Sequence, residues 1–264
     1  MNKVHMILQY LKYRLHAKTR HGIHSPFVYS LIEDVIYDSK NYPDYAVIEK
    51  EVNTLKQNRN VLEIVDFGAS SKKQGYKTHF RRISTIAALS GISKRHGRLL
   101  YRIVKHFEPA TMLEMGTSLG ISTMYQAKGN PDALFTGIEG CASVASITRN
   151  SLDAVGCTNV NLLMAQFKTA LPDYLSSLTT NLDYAFVDGD HTYEGTINYF
   201  NQLKNHTCNK SILIFHDIYW SKEMKKAWEE IKRDVDVKVT VDLFYMGIVF
   251  FKSELSKQDF VVKF

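Results

Sequence analysis

Residues 111–123 read TMLEMGTSLGIST: an apolar run breaks at a glycine-bearing turn and the sequence then resumes as a helix. Glu139 stands at the end of the next apolar run, 23 positions after Gly116. A strand, a glycine turn, a helix and then an acid closing the second strand are the marks of a nucleotide-like ligand lying across the ends of two parallel strands. The glycines let backbone approach the ligand, the helix N-terminus faces it, and the acid accepts hydrogen bonds from ribose hydroxyls.

The chain around this stretch is long enough for a full core. Its 264 residues are 45% hydrophobic and 23% charged, which favours neither disorder nor a membrane class. No apolar run approaches the ~20 residues that span a bilayer, and no secretory signal is apparent at the start. Cys141, Cys157 and Cys208 are odd in number and far apart, against a disulfide framework or zinc cluster. A reducing cytoplasm is the expected location. The net charge of +6 is uneven: Lys3, Lys12, Arg14, Lys18 and Arg20 precede the first acid, Glu33, and a second basic tract includes Lys72, Lys73, Lys77, Arg81, Arg82, Lys94, Arg95, Arg98 and Arg102. Nucleic acid, an anionic membrane surface or an acidic substrate would suit such charge, as would a solvated basic face.

Val4, Ile7, Leu8, Leu11 and Leu15 recur at helical spacing, so residues 1–15 form an amphipathic helix with a basic polar face. That helix packs on the domain or lies on a membrane surface. Ser25 and Pro26 start a second helix reaching about Ile36, and a third covers 45–57. Residues 61–71 are read as a loop, followed by helices at 80–89 and 93–107, the latter stopped by Pro109. From 110 onward strands at 111–115, 133–138, 160–164, 182–187 and 211–215 alternate with helices at 121–128, 142–154, 169–178, 192–205 and 221–233. Apolar strand runs imply a parallel sheet covered on both faces. Residues 237–243 and 246–252 are too close for a crossover helix and must pair antiparallel. The expected fold is α/β: a Rossmann-like, doubly wound, seven-stranded sheet, mostly parallel with a C-terminal antiparallel hairpin, behind an N-terminal helical region. Residues 1–92 form the helical cap or substrate region and 93–264 the ligand-binding domain.

The glycine spacing selects the ligand. A dinucleotide turn needs G-x-G-x-x-G, but Ser118 replaces the middle glycine and none stands at 121. The stretch also matches the G-x-S-x-G elbow of serine hydrolases, with Ser118 as nucleophile and Asp188 and His216 as partners, although that fold places several strands before the elbow.

Over about residues 95–252 the sequence resembles the class I S-adenosylmethionine-dependent methyltransferases. LEMGTSLGIST is similar to their first motif, and the resemblance implies that Gly116, Thr117 and Ser118 border the methionine part of the cofactor with Glu114 near it. It further implies that Glu139 holds the ribose and that Gln166 and Phe167 stand near adenine, with Gly120 and Asp188 completing the cofactor set. The stretches LDYAFVDGDHTYEG and ILIFHDIYW resemble the O-methyltransferase branch, whose acids matching Asp188 and Asp217 help hold a divalent cation such as Mg²⁺. Ile218 replaces the asparagine of the metal-using members. Asp188, His191 and His216 are the catalytic candidates, His191 being the first choice of general base. Structural readings stand beside these: Asp190 as a helix cap, His191 helping to cap the same helix, and His216 in a structural hydrogen bond. The expected reaction is O-methylation of a small-molecule acceptor. The alternatives are an RNA-directed methyltransferase, a serine hydrolase and a non-catalytic cofactor-binding protein, and a homodimer is compatible with all of them.

Overall fold

The computed structural model describes residues 3–66, 77–89 and 91–264. In chain order it contains α1 (Lys3–His16), α2 (Pro26–Leu31) continued by a wider π-type turn at Ile32–Ile36, α3 (Pro43–Gln57), β1 (Val61–Asp66), β2 (Lys77–Arg82), α4 (Ile83–Leu89) and α5 (Lys94–Phe107). The strand–helix alternation follows: β3 (Thr111–Met115), α6 (Ile121–Gly129), β4 (Leu134–Glu139), α7 (Ala142–Ala154), β5 (Val160–Met164) and α8 (Phe167–Ser177). The chain continues with β6 (Tyr184–Val187), α9 (Tyr193–Lys204), β7 (Ile212–His216), α10 (Lys222–Arg233), β8 (Val239–Asp242), β9 (Met246–Phe250) and β10 (Gln258–Val261). The architecture is α/β with mostly parallel strand pairing.

Two compact units make up the chain, Met1–Leu31 with Tyr174–Phe264, and Ile32–Asp173. In the second unit β3, β4 and β5 pair in parallel. Every residue of β3 is buried, as a strand covered on both faces requires. Helix α5 begins where Ser93 accepts the His96 amide and ends at Glu108, whose φ of 46° turns the chain ahead of Pro109. Tyr101 of α5 packs ring to ring with Tyr42 and Tyr45 and donates to Asp44 at 2.8 Å.

Residues 61–66 correct the sequence reading. They are not loop but a strand paired antiparallel with β2, Val61 opposite Arg82 and Glu63 opposite Phe80. The β-branched residues Val61, Ile64 and Val65 carried that signal; the helix expected at 80–89 took in the last three residues of the partner strand, KTHFRR, and α4 begins only at Ile83. The rest of the expected loop, 67–71, with Lys72 and Lys73, lies outside the described residues.

In the first unit the order is β10-β8-β9-β7-β6. Strands β8 and β9 form the expected antiparallel hairpin, β9 also runs antiparallel to β7, and β6 is parallel to β7. Strand β10 was not anticipated. It returns after a short loop and pairs parallel with β8, Gln258 opposite Val239, so these five strands and β3 to β5 make eight among the described residues rather than seven, beside the β1–β2 hairpin. The same edge receives the N-terminal segment. Lys18 bridges Val262, and the Tyr13 hydroxyl donates to the Val262 carbonyl at 2.6 Å while accepting the Phe264 amide at 2.9 Å.

Candidate active site

The glycine turn lies wholly in the second unit. Gly116 leaves β3 with φ 94° and donates its amide to Ile138 of β4 at 2.9 Å. Ser118 takes φ 47°, and Gly120 opens α6 at φ 80°. A side chain at Gly120 would be strained by that φ, and its Cβ would lie 2.9 Å from Thr148 Cγ2. Glu139 ties the turn to the second strand: Oε2 accepts the Ser118 amide and Oε1 the Cys141 amide, each at 2.9 Å. Burial pushes the Glu139 carboxyl above its usual range, against the amides, which favour the charged form. Glu139 therefore shapes the loop, and a carboxylate accepting one bond at each oxygen keeps lone pairs for hydroxyl donors.

Thr117 is fully buried, and its methyl group packs where a side chain at position 137 would sit, 2.6 Å from that Cβ. Gly137 is a residue the sequence reading missed; the signal was a glycine within a strand, which marks close approach. Glu114 is completely buried and accepts from Gln126 at 3.0 Å, so it braces β3 against α6. Gln166 caps α8 through its carbonyl, which accepts the amides of Thr169 and Ala170, and half-buried Phe167 begins that helix.

The second group of candidates lies in the first unit. Strands β6 and β7 are parallel neighbours with Val187 opposite Phe215, so Asp188 and His216 leave their ends side by side. His216 Nδ1 lies 3.0 Å from Asp188 Oδ1 and 3.8 Å from Asp217 Oδ2, and His191 Nε2 lies 3.5 Å from the same Asp188 oxygen. These side chains are 16–26% exposed. Burial works against charge on His216, but Asp188 and then Asp217 outweigh it and push the imidazole up to about 9. Asp188 is held below the usual carboxylate range: burial opposes this, and the His216 charge and hydrogen bond overcome it. Asp217 is raised by burial and by Asp188. At neutral pH His216 is thus an imidazolium paired with a carboxylate. It cannot accept a proton until about two pH units higher.

His191 differs. With Nε2 toward Asp188, its Nδ1 is buried and has no hydrogen-bond partner among the described residues. Asp190, His191 and Asp217 all have positive φ, at 63°, 29° and 56°, so the polar residues after both strands sit in strained backbone. Asp190 does not cap α9. Thr192 does, accepting the Gly195 amide at 3.1 Å, while Asp190 accepts the Tyr199 hydroxyl at 3.1 Å.

The acids expected to share a magnesium ion have an imidazole between them. Magnesium demands oxygen donors at ~2.0–2.1 Å in octahedral array; here His216 approaches both carboxylates, and the next residue, Ile218, is apolar and buried. No group of three or more His, Cys, Asp or Glu among the described residues could hold a metal ion. This donor set does not fit magnesium.

The paired His216 has a consequence for stability. Its folded-state pKa is raised, so the stabilisation is fully present below about pH 6.5 and lost as pH rises through about 9. The free energy of urea unfolding is expected to fall by on the order of 2 kcal/mol more between pH 7 and pH 10 in the natural protein than in His216→Asn. Equal slopes in the two proteins would remove the ion pair.

The strand–turn–helix of β3 and α6, with Glu139 closing β4, falls in the part of the chain that matches a known family: residues 113–218 fit the family model described as methyltransferase domain. Residues 113–218 are thus similar to a methyltransferase domain. The sequence matches none of the curated proteins compared with it. Solved structures extend the fold beyond the family match. An O-methyltransferase from Bacillus cereus in complex with S-adenosylhomocysteine is 14% identical, with 85% of this chain and 97% of that one covered at a TM-score of 0.56. A Podospora anserina methyltransferase bound to S-adenosylhomocysteine is 13% identical, with 88% and 97% covered at 0.58. The O-methyltransferase TomG from Streptomyces achromogenes, involved in tomaymycin synthesis and solved with S-adenosylmethionine, is 16% identical, with 81% and 100% covered at 0.55. The hydrolase expectation loses its structural premise, because among the described residues β3 is preceded only by the separate β1–β2 hairpin.

Proposed function

We propose that this chain transfers the methyl group of S-adenosylmethionine to an oxygen of a small-molecule acceptor. The observation that carries the reading is Glu139: one carboxylate closes the second strand of a methyltransferase domain and organises the glycine turn through the Ser118 and Cys141 amides. That is where a ribose would meet its acid. Gly116, Thr117 and Ser118 would border the methionine portion, and Gln166 with Phe167 the adenine.

Methyl transfer from a sulfonium is an in-line displacement, so the protein's tasks are alignment and removal of the acceptor's proton. His191 is the proposed general base. Asp188 lies 3.5 Å from Nε2 and favours a proton on that nitrogen, which leaves Nδ1, without a partner among the described residues, as the nitrogen to meet an acceptor hydroxyl. His216, charged and locked to Asp188, holds the carboxylate in place and ionised. A base and positioned charges thus perform what a metal would otherwise supply.

Isothermal titration with S-adenosylmethionine and S-adenosylhomocysteine, with NAD⁺ as control, tests the cofactor. Micromolar binding of the first two, unchanged by Mg²⁺, and none of NAD⁺ is expected. No binding of either sulfur ligand would end the reading. Methyl transfer to a panel of hydroxylated small molecules then tests the acceptor class.

A further inference from the structure

Helix α1 docks with one face and leaves another uncovered. The docked face runs through Gln9, Tyr10 and Tyr13: Gln9 accepts from Lys225 of α10 at 3.0 Å, Tyr13 is buried, and the rings of Tyr10 and Tyr13 lie 5.0 and 5.4 Å from Phe244. The opposite face carries Val4, Ile7, Leu8, Leu11 and Leu15, which are 52–83% exposed. At 100° per residue these five fall within an arc of about 100°, a continuous apolar stripe along the helix. Scattered apolar residues on a surface need no explanation, but five in one stripe do.

The stripe has basic borders. Lys12 flanks it on one side and Arg14 on the other, both exposed, and exposed Lys18 and Arg20 continue past the helix end. No Asp or Glu precedes Glu33. We infer that α1 is a peripheral anchor that seats its apolar stripe at the interface of an anionic lipid surface. Leu8 and Leu11 would enter the headgroup–acyl boundary while Lys12 and Arg14 extend toward the lipid phosphates. Charge complementarity selects this occupant. A second copy pairing through the same stripe would set the two basic borders against each other, which is unfavourable, and a nucleic acid would satisfy the charges but leave five aliphatic side chains in water. Among the described residues no helix is long and apolar enough to cross a membrane; the amphipathic stripe of α1 is that of a helix lying in the surface plane. The inference is independent of the methyl-transfer reading.

Vesicle co-sedimentation of the full chain tests it, with vesicles of phosphatidylcholine alone or mixed with phosphatidylglycerol. Binding to the mixed vesicles is expected to be about tenfold stronger or more, and to weaken as salt is raised. Leu8→Asp with Leu11→Asp, and separately Lys12→Glu with Arg14→Glu, should each lower that binding about tenfold while thermal unfolding stays unchanged. The charge-reversal pair leaves the stripe intact and so guards against misfolding of the first. Equal binding to both kinds of vesicle, no binding, or binding unaffected by both variants would overturn the inference. A dimer in sedimentation analysis that dissolves in Leu8→Asp/Leu11→Asp, without vesicle binding, would assign the stripe to a second copy and overturn it too.

Discussion

Asp188→Ala is expected to lower methyl transfer by about 1,000-fold, within the range lost when a general base is disabled. Two imidazoles converge on the Asp188 carboxylate. Without it His191 loses the carboxylate beside its Nε2, and His216 loses the larger of the two charges that raise its pKa. Removing one member of a buried pair also costs about 3–5 kcal/mol of stability. The measurement is therefore transfer of labelled methyl at fixed temperature alongside thermal unfolding, with Asp188→Asn as the variant that keeps the volume. Loss of transfer with intact S-adenosylhomocysteine binding places Asp188 at the chemistry. Full activity in either variant would refute its assignment.

The second large effect concerns the cofactor. Glu139→Ala removes the acceptor of two backbone amides as well as the proposed ribose contact, and S-adenosylhomocysteine affinity should fall by about 100-fold, the sum of one charged hydrogen-bond loss and a loosened turn. Glu139→Gln should be intermediate, because an amide oxygen can accept from one backbone N–H while its NH₂ group opposes the other. Titration calorimetry separates the two cases. Unchanged affinity in Glu139→Ala would leave the carboxylate a purely local brace.

Much of the fold was legible because burial writes itself into sequence. The run TMLEM is apolar enough to mark β3 to the residue, and ASVASITRNSLDA gives α7 at its observed ends. The chain was less legible wherever a partner decides the structure. β1 needed β2, and KTHFRR holds one apolar residue, Phe80, so no apolar pattern marks it as a strand. β10 needed β8, and the polar stretch before it concealed a returning edge strand. In the site, the glycine turn was readable from its spacing alone, whereas the contact of Asp188 with His216, 28 residues apart, was not. The usable signal was that both follow apolar strands consecutive in the alternation, which brings their ends together when those strands pair. Nothing in the residue types foretold the positive φ angles of Asp190, His191 and Asp217, because aspartate and histidine adopt them only when the surroundings impose them.

The meeting of Tyr13 with Val262 has a consequence for how the molecule is made. The unit holding α1 is assembled from the first 31 residues and the last 91, with the whole of Ile32–Asp173 inserted between them. The inserted unit can fold as soon as its own continuous stretch leaves the ribosome, but α1 must wait for the hairpin and edge strand that dock it, some 250 residues later along the chain. At ordinary rates of translation the delay is about 10–50 s. For that interval the docking tyrosines are as uncovered as the leucines opposite them.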